Sequence, residues 1–315
     1  MIIIPLTKNK KEGVLRPLLH YNNDITQQGS EMMKKIRIVA DSTCDLSQEL
    51  IKKYQISIIP LCITLGNETY LDGVDITPEE IYKWSDEHKT TPKTSAVPFD
   101  KVEEILKPMV EAGEDIIFIG ISEEMSSTCN RIRIFGEDEE YDRLFVVNSK
   151  NLSTGIGLQV LRAAELRDAG KTAEEIVAEL EGSRDRVRAS FVVDTTVFLA
   201  RGGRCTAVES FVASALMLHP EIVVRDGKMG AGRKVRGKTA MAVNAYVEGL
   251  MTTIKNAEPH RVFITHSGSD REIIESVKAK LEALNLFDEI LETQAGGVIS
   301  SHCGPNTLGV LFYEK

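Results

Sequence analysis

Asp115–Ile121, DIIFIGI, is an apolar run with no polar residue alternating through it. A half-solvated strand alternates in polarity. A short continuous run bounded by polar residues reads instead as a strand buried on both faces, as in a parallel sheet. LFVV (144–147) repeats the pattern, and IRIVA (36–40) precedes both. SIIPLCITL (57–65) reads as a further strand. Helical signals fill the gaps. Thr77-Pro78-Glu79-Glu80 is a capping box with Pro at the first helical position, which starts a helix through Trp84. Val102, Ile105, Leu106 and Met109 share a helical face, and Pro108 is expected to bend or shorten that helix. LSTGIGLQVLRAAELRDAG (152–170) reads as helix, and Thr172-x-x-Glu175 opens another. This alternation predicts an N-terminal doubly wound α/β domain with a parallel sheet.

The second half changes character. ASFVVDT (189–195) is a strand, and EIVVRDGKMGAGRKVRG (221–237) is a hairpin turning at Asp226-Gly227. Helices are expected near 239–256 and 270–285, the latter opened by Ser269-x-x-Glu272. RVFITHSG, FDEILET and LGVLFYEK add strands, so a C-terminal α/β sheet-plus-helices domain follows. The boundary falls between 155 and 188, and we place the domains at 35–170 and 171–315. Residues 1–34 show no period and are expected to form a poorly ordered extension.

Composition narrows the function. The chain has 315 residues and a net charge of −9, which argues against a nucleic-acid binder and against nonspecific adhesion to anionic membranes. Any membrane contact is expected to be transient. Five cysteines, Cys44, Cys62, Cys129, Cys205 and Cys303, form no C-x-x-C pair, which reads as reduced thiols in the cytoplasm. No apolar run approaches the roughly 18 residues of a membrane span. MIIIPLTKNKKEG has the order of a signal peptide reversed.

Polar clusters follow the strands of the N-terminal half, where α/β sheets bind ligands. They are Asp41-Ser42-Thr43, Ser122–Thr128 and Asn148-Ser149. Ser126 and Ser127 stand at an expected helix N-terminus, where free N–H groups favour an anion, or else serve only as caps. RGGR (201–204) brings two arginines around glycines that permit close backbone approach, and equally suits a helix C-cap. Arg225–Lys238 gathers six basic residues, which suits an acidic partner, a phosphorylated ligand or a solvated hairpin. His302 lacks the companions of a zinc site. No G-x-S-x-G or P-loop is present, and TGIG (154–157) is too short for a dinucleotide fingerprint. His302 is left as a ligand-binding donor or a structural residue, with a Ser–His acyl-transfer site still open.

Six segments, in order, resemble the DegV family, which includes the FakB-type fatty-acid-binding subunits of bacterial fatty acid kinase. VADSTCDL (39–46) is similar to the family's opening strand and D-S-x-x-D-L loop, and KTSAVPFD (93–100) to its T-S-Q-P-S segment. SEEMSSTCN (122–130) resembles S-x-x-L-S-G-T-Y, and NSKNLSTGIG (148–157) resembles D-S-x-x-x-S-x-G-x-G. RGGR and HCGPNTLGV (302–310) complete the set. The resemblance covers Ile36 to Lys315. It implies a two-domain fold holding one long-chain fatty acid between the domains, with no other cofactor and no catalysis of its own. The carboxylate would meet Thr94, Ser95, Ser126, Ser127 and His302, with Arg201 or Arg204 near. A separate ATP-dependent kinase subunit would then phosphorylate it, docking at Arg233 and Arg236 of the basic hairpin. The alternatives are an acyl hydrolase or transferase using Ser126 and His302, or a binder of another anionic small molecule. FVASALMLHPEIVV (211–224) is the candidate tunnel wall. Ala96-Val97-Pro98, Ser127, Cys129 and Asn148 depart from the family pattern.

Overall fold

The computed structural model describes residues 35–204 and 218–315. The expected N-terminal extension, Cys205 and the 211–217 part of the candidate tunnel wall lie outside the described residues.

The apolar runs form the parallel sheet. Strands β1 (Ile36–Asp41), β2 (Ser57–Ile59), β6 (Asp115–Gly120) and β7 (Leu144–Asn148) lie in the order β2-β1-β6-β7, all parallel. The expected strand 57–65 is two strands in two sheets. Pro60 has no N–H to donate, and the chain leaves the parallel sheet there. It re-forms as β3 (Cys62–Leu65) in a small antiparallel sheet with β4 (Glu68–Leu71) and β5 (Lys93–Ser95).

Helix α1 (Gln48–Lys53) follows β1, and α2 (Pro78–His88) starts at the Thr77–Glu80 capping box. Helix α3 (Phe99–Glu111) runs on past Pro108 for three residues. With α4 (Thr128–Asp138) it covers one face of the parallel sheet, burying Val102, Leu106, Ile132 and Phe135. Helices α5 (Thr154–Asp168) and α6 (Ala173–Ser183) cover the other, and α6 begins at the expected Thr172–Glu175 box. Every residue of α5 from Thr154 to Leu161 is buried. A helix enclosed on all sides needs no polar face, which is why its sequence shows no amphipathic period.

The six-stranded sheet runs β10-β9-β8-β13-β11-β12. Its strands are β8 (Val187–Val192), β9 (Leu218–Arg225), β10 (Lys228–Arg236), β11 (Ala257–His266), β12 (Glu289–Gln294) and β13 (Leu308–Glu314). Only the β11–β12 pair is parallel. Strand β13 sits in the middle, joining β8 to β11. Asp226 and Gly227 both have positive φ, the requirement of a two-residue hairpin turn. Helices α8 (Thr239–Ile254) and α9 (Arg271–Glu282) pack on the outer face. Asp270, not Ser269, holds the N-cap position of α9, without a side-chain capping bond, and the Ser269 hydroxyl donates to the Thr307 carbonyl at 3.3 Å. The inner face meets α5, so Ile38 and Ile119 of one sheet share a core with Phe191, Ile222 and Leu311 of the other. The expected boundary at residue 170 falls inside this shared layer.

Two short helices finish the site region, α7 (Val197–Gly202) and α10 (Gly297–Cys303). Although late in the sequence, α10 packs against α2 and the small sheet of the N-terminal half, with Val298 among Leu61, Ile63 and Ile81. No helix among the described residues is long and apolar enough to cross a membrane.

Candidate functional site

The loop after β1 organises the site without lining it. Asp41 accepts the Thr43 N–H at 3.0 Å and the Ile121 N–H at 2.8 Å, which ties the end of β1 to the loop after β6. Asp45 accepts the Gly296 N–H at 2.8 Å, and Asp72 accepts the Gly297 N–H at 2.7 Å. Two carboxylates therefore hold the start of α10, where free N–H groups favour negative charge. Ser153 and Ser42 donate to the second oxygens of Asp45 and Asp72. Burial pushes Asp41 up to about 6, against the lowering effect of its hydrogen bonds from Thr43 and Ile121. Burial also raises Asp45 and Asp72. The Asp41-Ser42-Thr43 cluster is thus structural.

So anchored, α10 carries His302 to β5. His302 Nε2 lies 2.8 Å from Thr94 Oγ1. On the other side of the ring, Gly202 of the RGGR stretch is so close that a Cβ there would overlap Nδ1. The close approach that glycines permit is made to His302. Burial, then repulsion from Arg204, lowers the His302 pKa to about 4, so the ring is neutral near pH 7. Nδ1 is buried and has no hydrogen-bond partner among the described residues. A buried orphan donor is costlier than an orphan acceptor, which puts the proton on Nε2. His302 then donates to Thr94, and the Thr94 hydroxyl keeps its own proton for a ligand.

Both residues line a cavity of about 270 Å³. Ser95, Ser126, Ser127 and Arg204 line it too, so six of the seven expected residues converge. Arg201 does not; it is exposed on α7, which ends at Gly203 in the left-handed conformation of a C-cap. Ser126 Oγ is 2.8 Å from Thr128 Oγ1 and accepts the Thr128 N–H, capping the start of α4. Ser127 occupies the N-cap position, and its side chain makes no capping bond. The bond a Ser126–His302 catalytic pair needs is not made: His302 is engaged with Thr94 and Ser126 with Thr128. Among the described residues, no group of three or more His, Cys, Asp or Glu side chains could hold a metal ion.

Several lining residues escaped the sequence reading. Arg131 lies one helical turn after Ser127, a spacing that signals a shared face, and it donates to the Val97 carbonyl at 2.6 Å. Leu61, Ile121, Met125, Leu152, Val298 and Ile299 supply apolar walls. Met229 arrives from the β9–β10 hairpin, whose tip is latched by the Ser122 hydroxyl donating to the Gly227 carbonyl at 2.7 Å. The described part of the candidate tunnel wall lies elsewhere. Ile222 and Val224 face the core shared with α5 and do not line this cavity. Of the departures, Cys129 is buried in the core behind the parallel sheet. Asn148 accepts the Lys150 N–H at 2.9 Å in the loop after β7.

The basic hairpin is partly spoken for. Arg233 Nε bonds the buried Glu221 carboxylate at 2.8 Å, and its Nη2 bonds the Tyr246 carbonyl at 3.1 Å. Arg233 and Arg236 are both exposed, and Arg233 spends its guanidinium on these two bonds.

The chain matches, over residues 35–315, the family described as uncharacterised protein, DegV family. It belongs to the DegV family. A DegV domain-containing protein of Clostridium perfringens is 32% identical over 283 residues, spanning 90% of this chain and 100% of the relative. A solved DegV family protein from Thermus thermophilus, described as fatty-acid-binding, superposes with a TM-score of 0.82 at 30% identity, covering 89% of this chain and 100% of its own. DegV of Bacillus subtilis, described as a fatty acid binding protein, superposes at 0.75 with 26% identity, covering 90% and 100%. The three-sheet α/β arrangement above is the DegV fold.

Proposed function

We infer that this DegV protein binds one long-chain fatty acid, with its carboxylate at Thr94, Ser126, Ser127 and His302. The observation that carries the reading is the His302–Thr94 pair at 2.8 Å in a cavity that joins polar side chains to the apolar Leu61, Ile121, Met125, Leu152, Val298 and Ile299. A neutral imidazole spends its N–H on Thr94, and the threonine hydroxyl is left to donate to the carboxylate. Arg131 and Arg204 add positive potential. The fatty-acid-binding descriptions of the Thermus thermophilus and Bacillus subtilis relatives support the same ligand class. Each buried methylene contributes about 0.8 kcal/mol, so a long chain supplies on the order of 10 kcal/mol before ordering costs. The tail therefore dominates affinity and the head group sets orientation.

The finer reading is of a FakB-type carrier in the cytoplasm. It presents the carboxylate to a separate ATP-dependent kinase subunit for acyl-phosphate formation, with Arg236 on the docking face. Native mass spectrometry of the bacterially expressed protein tests the ligand. One fatty-acid mass, lost on denaturation, is expected. A bare protein that also ignores added fatty acids would refute the reading, and labelling of Ser126 by a covalent serine probe would replace it with a hydrolase.

A further inference from the structure

The head-group cavity does not end at His302. Leu152, Ile299 and Cys303 line it, and the same three residues line a second, narrow space of about 20 Å³. That space reaches between Phe191, Ala295 and Leu311. The same three buried side chains stand between the two spaces, so any passage from one to the other is a neck that they make. The far space has room for little more than one water-sized probe, about 10–15 Å³. A chain enters it only when the neck side chains move.

The far space suits hydrocarbon and nothing more polar. Its nearby hydroxyls are already partnered: Thr265 Oγ1 lies 2.6 Å from Thr154 Oγ1, and Ser267 Oγ donates to the Gly304 carbonyl at 2.6 Å. Ile299 and Cys303 are four residues apart on α10 and so share one helix face. Cys303 is the smallest of the three and directly follows the head-group histidine.

The geometry points to Cys303 as the residue that decides how far an acyl chain extends beyond the head group. Its small side chain has least to move out of a chain's way, and a larger one confines the ligand to the outer cavity. The inference rests on the fatty-acid reading.

The test is the dissociation constant for octanoate, dodecanoate, palmitate and stearate. In the wild type, affinity is expected to rise up to about fourfold per methylene buried. Cys303→Leu should stop tightening for the acids longer than octanoate, whatever its affinity for octanoate itself. Equal slopes in the two proteins would overturn the role of Cys303 while leaving fatty-acid binding intact. A wild type that binds none of the four would remove both. Should Cys303→Leu fail to fold, Cys303→Ala widens the neck instead. It should steepen the gain in affinity from dodecanoate to stearate relative to wild type, and an unchanged gain counts against the proposal.

Discussion

His302 Nε2 and Thr94 Oγ1 stand 2.8 Å apart although 208 residues separate them in sequence. The contact joins α10 to the small sheet of the N-terminal half at the mouth of the cavity. Thr94→Val keeps the shape and removes the hydroxyl. It should weaken palmitate binding by about 1.5–3 kcal/mol, the worth of a hydrogen bond to a charged group. Isothermal titration calorimetry reads this, and an unchanged affinity would take Thr94 out of the head-group site.

Adjacent glycines give a second test. A Cβ on Gly202 overlaps His302 Nδ1, whereas one on Gly203 meets nothing within 4 Å and only strains a residue with φ +66°. Gly202→Ala should displace the imidazole and lose most ligand binding. Gly203→Ala should cost about 1 kcal/mol of stability and leave binding intact. Equal effects in a binding assay would mean the ring does not depend on Gly202.

The pH dependence of stability follows from two opposed groups. His302 sits at about 4 in the folded protein against an ordinary 6.5. Between those values the unfolded chain holds a proton that the folded chain does not. Stability from this group is complete above 6.5 and is lost as pH falls toward 4. Asp41 is raised from 3.8 to about 6, so its contribution is complete below 3.8 and is lost as pH rises through 6. His302→Gln should therefore flatten the acid-side loss, and Asp41→Asn should steepen it. Urea midpoints at pH 4.5 and 6.5 decide the matter; profiles parallel to wild type for both variants would contradict the assignment.

Arg233 and Arg236 should separate cleanly. Arg233→Ala removes the guanidinium from the buried Glu221 carboxylate and leaves it the backbone N–H of residue 233 at 3.1 Å, at a cost of about 1–3 kcal/mol in urea unfolding. Arg236→Ala should leave unfolding and lipid binding unchanged and slow acyl phosphorylation by the proposed kinase partner. Loss of lipid in Arg236→Ala would place that arginine at the pocket instead.

Local signals were legible in sequence and tertiary decisions were not. The Thr77 and Thr172 capping boxes formed as read, because each is complete within four residues. The Ser269 box did not: the helix starts one residue later, at Arg271 behind Asp270, and the Ser269 hydroxyl reaches the Thr307 carbonyl 38 positions away. The break at Pro60 was visible as a proline, but a change of sheet leaves no trace in apolar patterning. Strands β4 and β5 are short and polar, ETYL and KTS, and went unseen for that reason. Within the site, Thr94, Ser126 and His302 came from the order of motifs. Leu152, Ile299 and Cys303 look like any core residues until two cavities are found to share them.

Strand β13 has a consequence for biosynthesis. The β8–β9–β10 ribbon and the β11–β12 pair touch no common strand except β13, which is made after all of them. Until β13 joins, the chain carries two unjoined pieces of sheet. Their facing edges, β8 and β11, are unpaired and rich in apolar residues, a state open to wrong pairing with neighbouring chains.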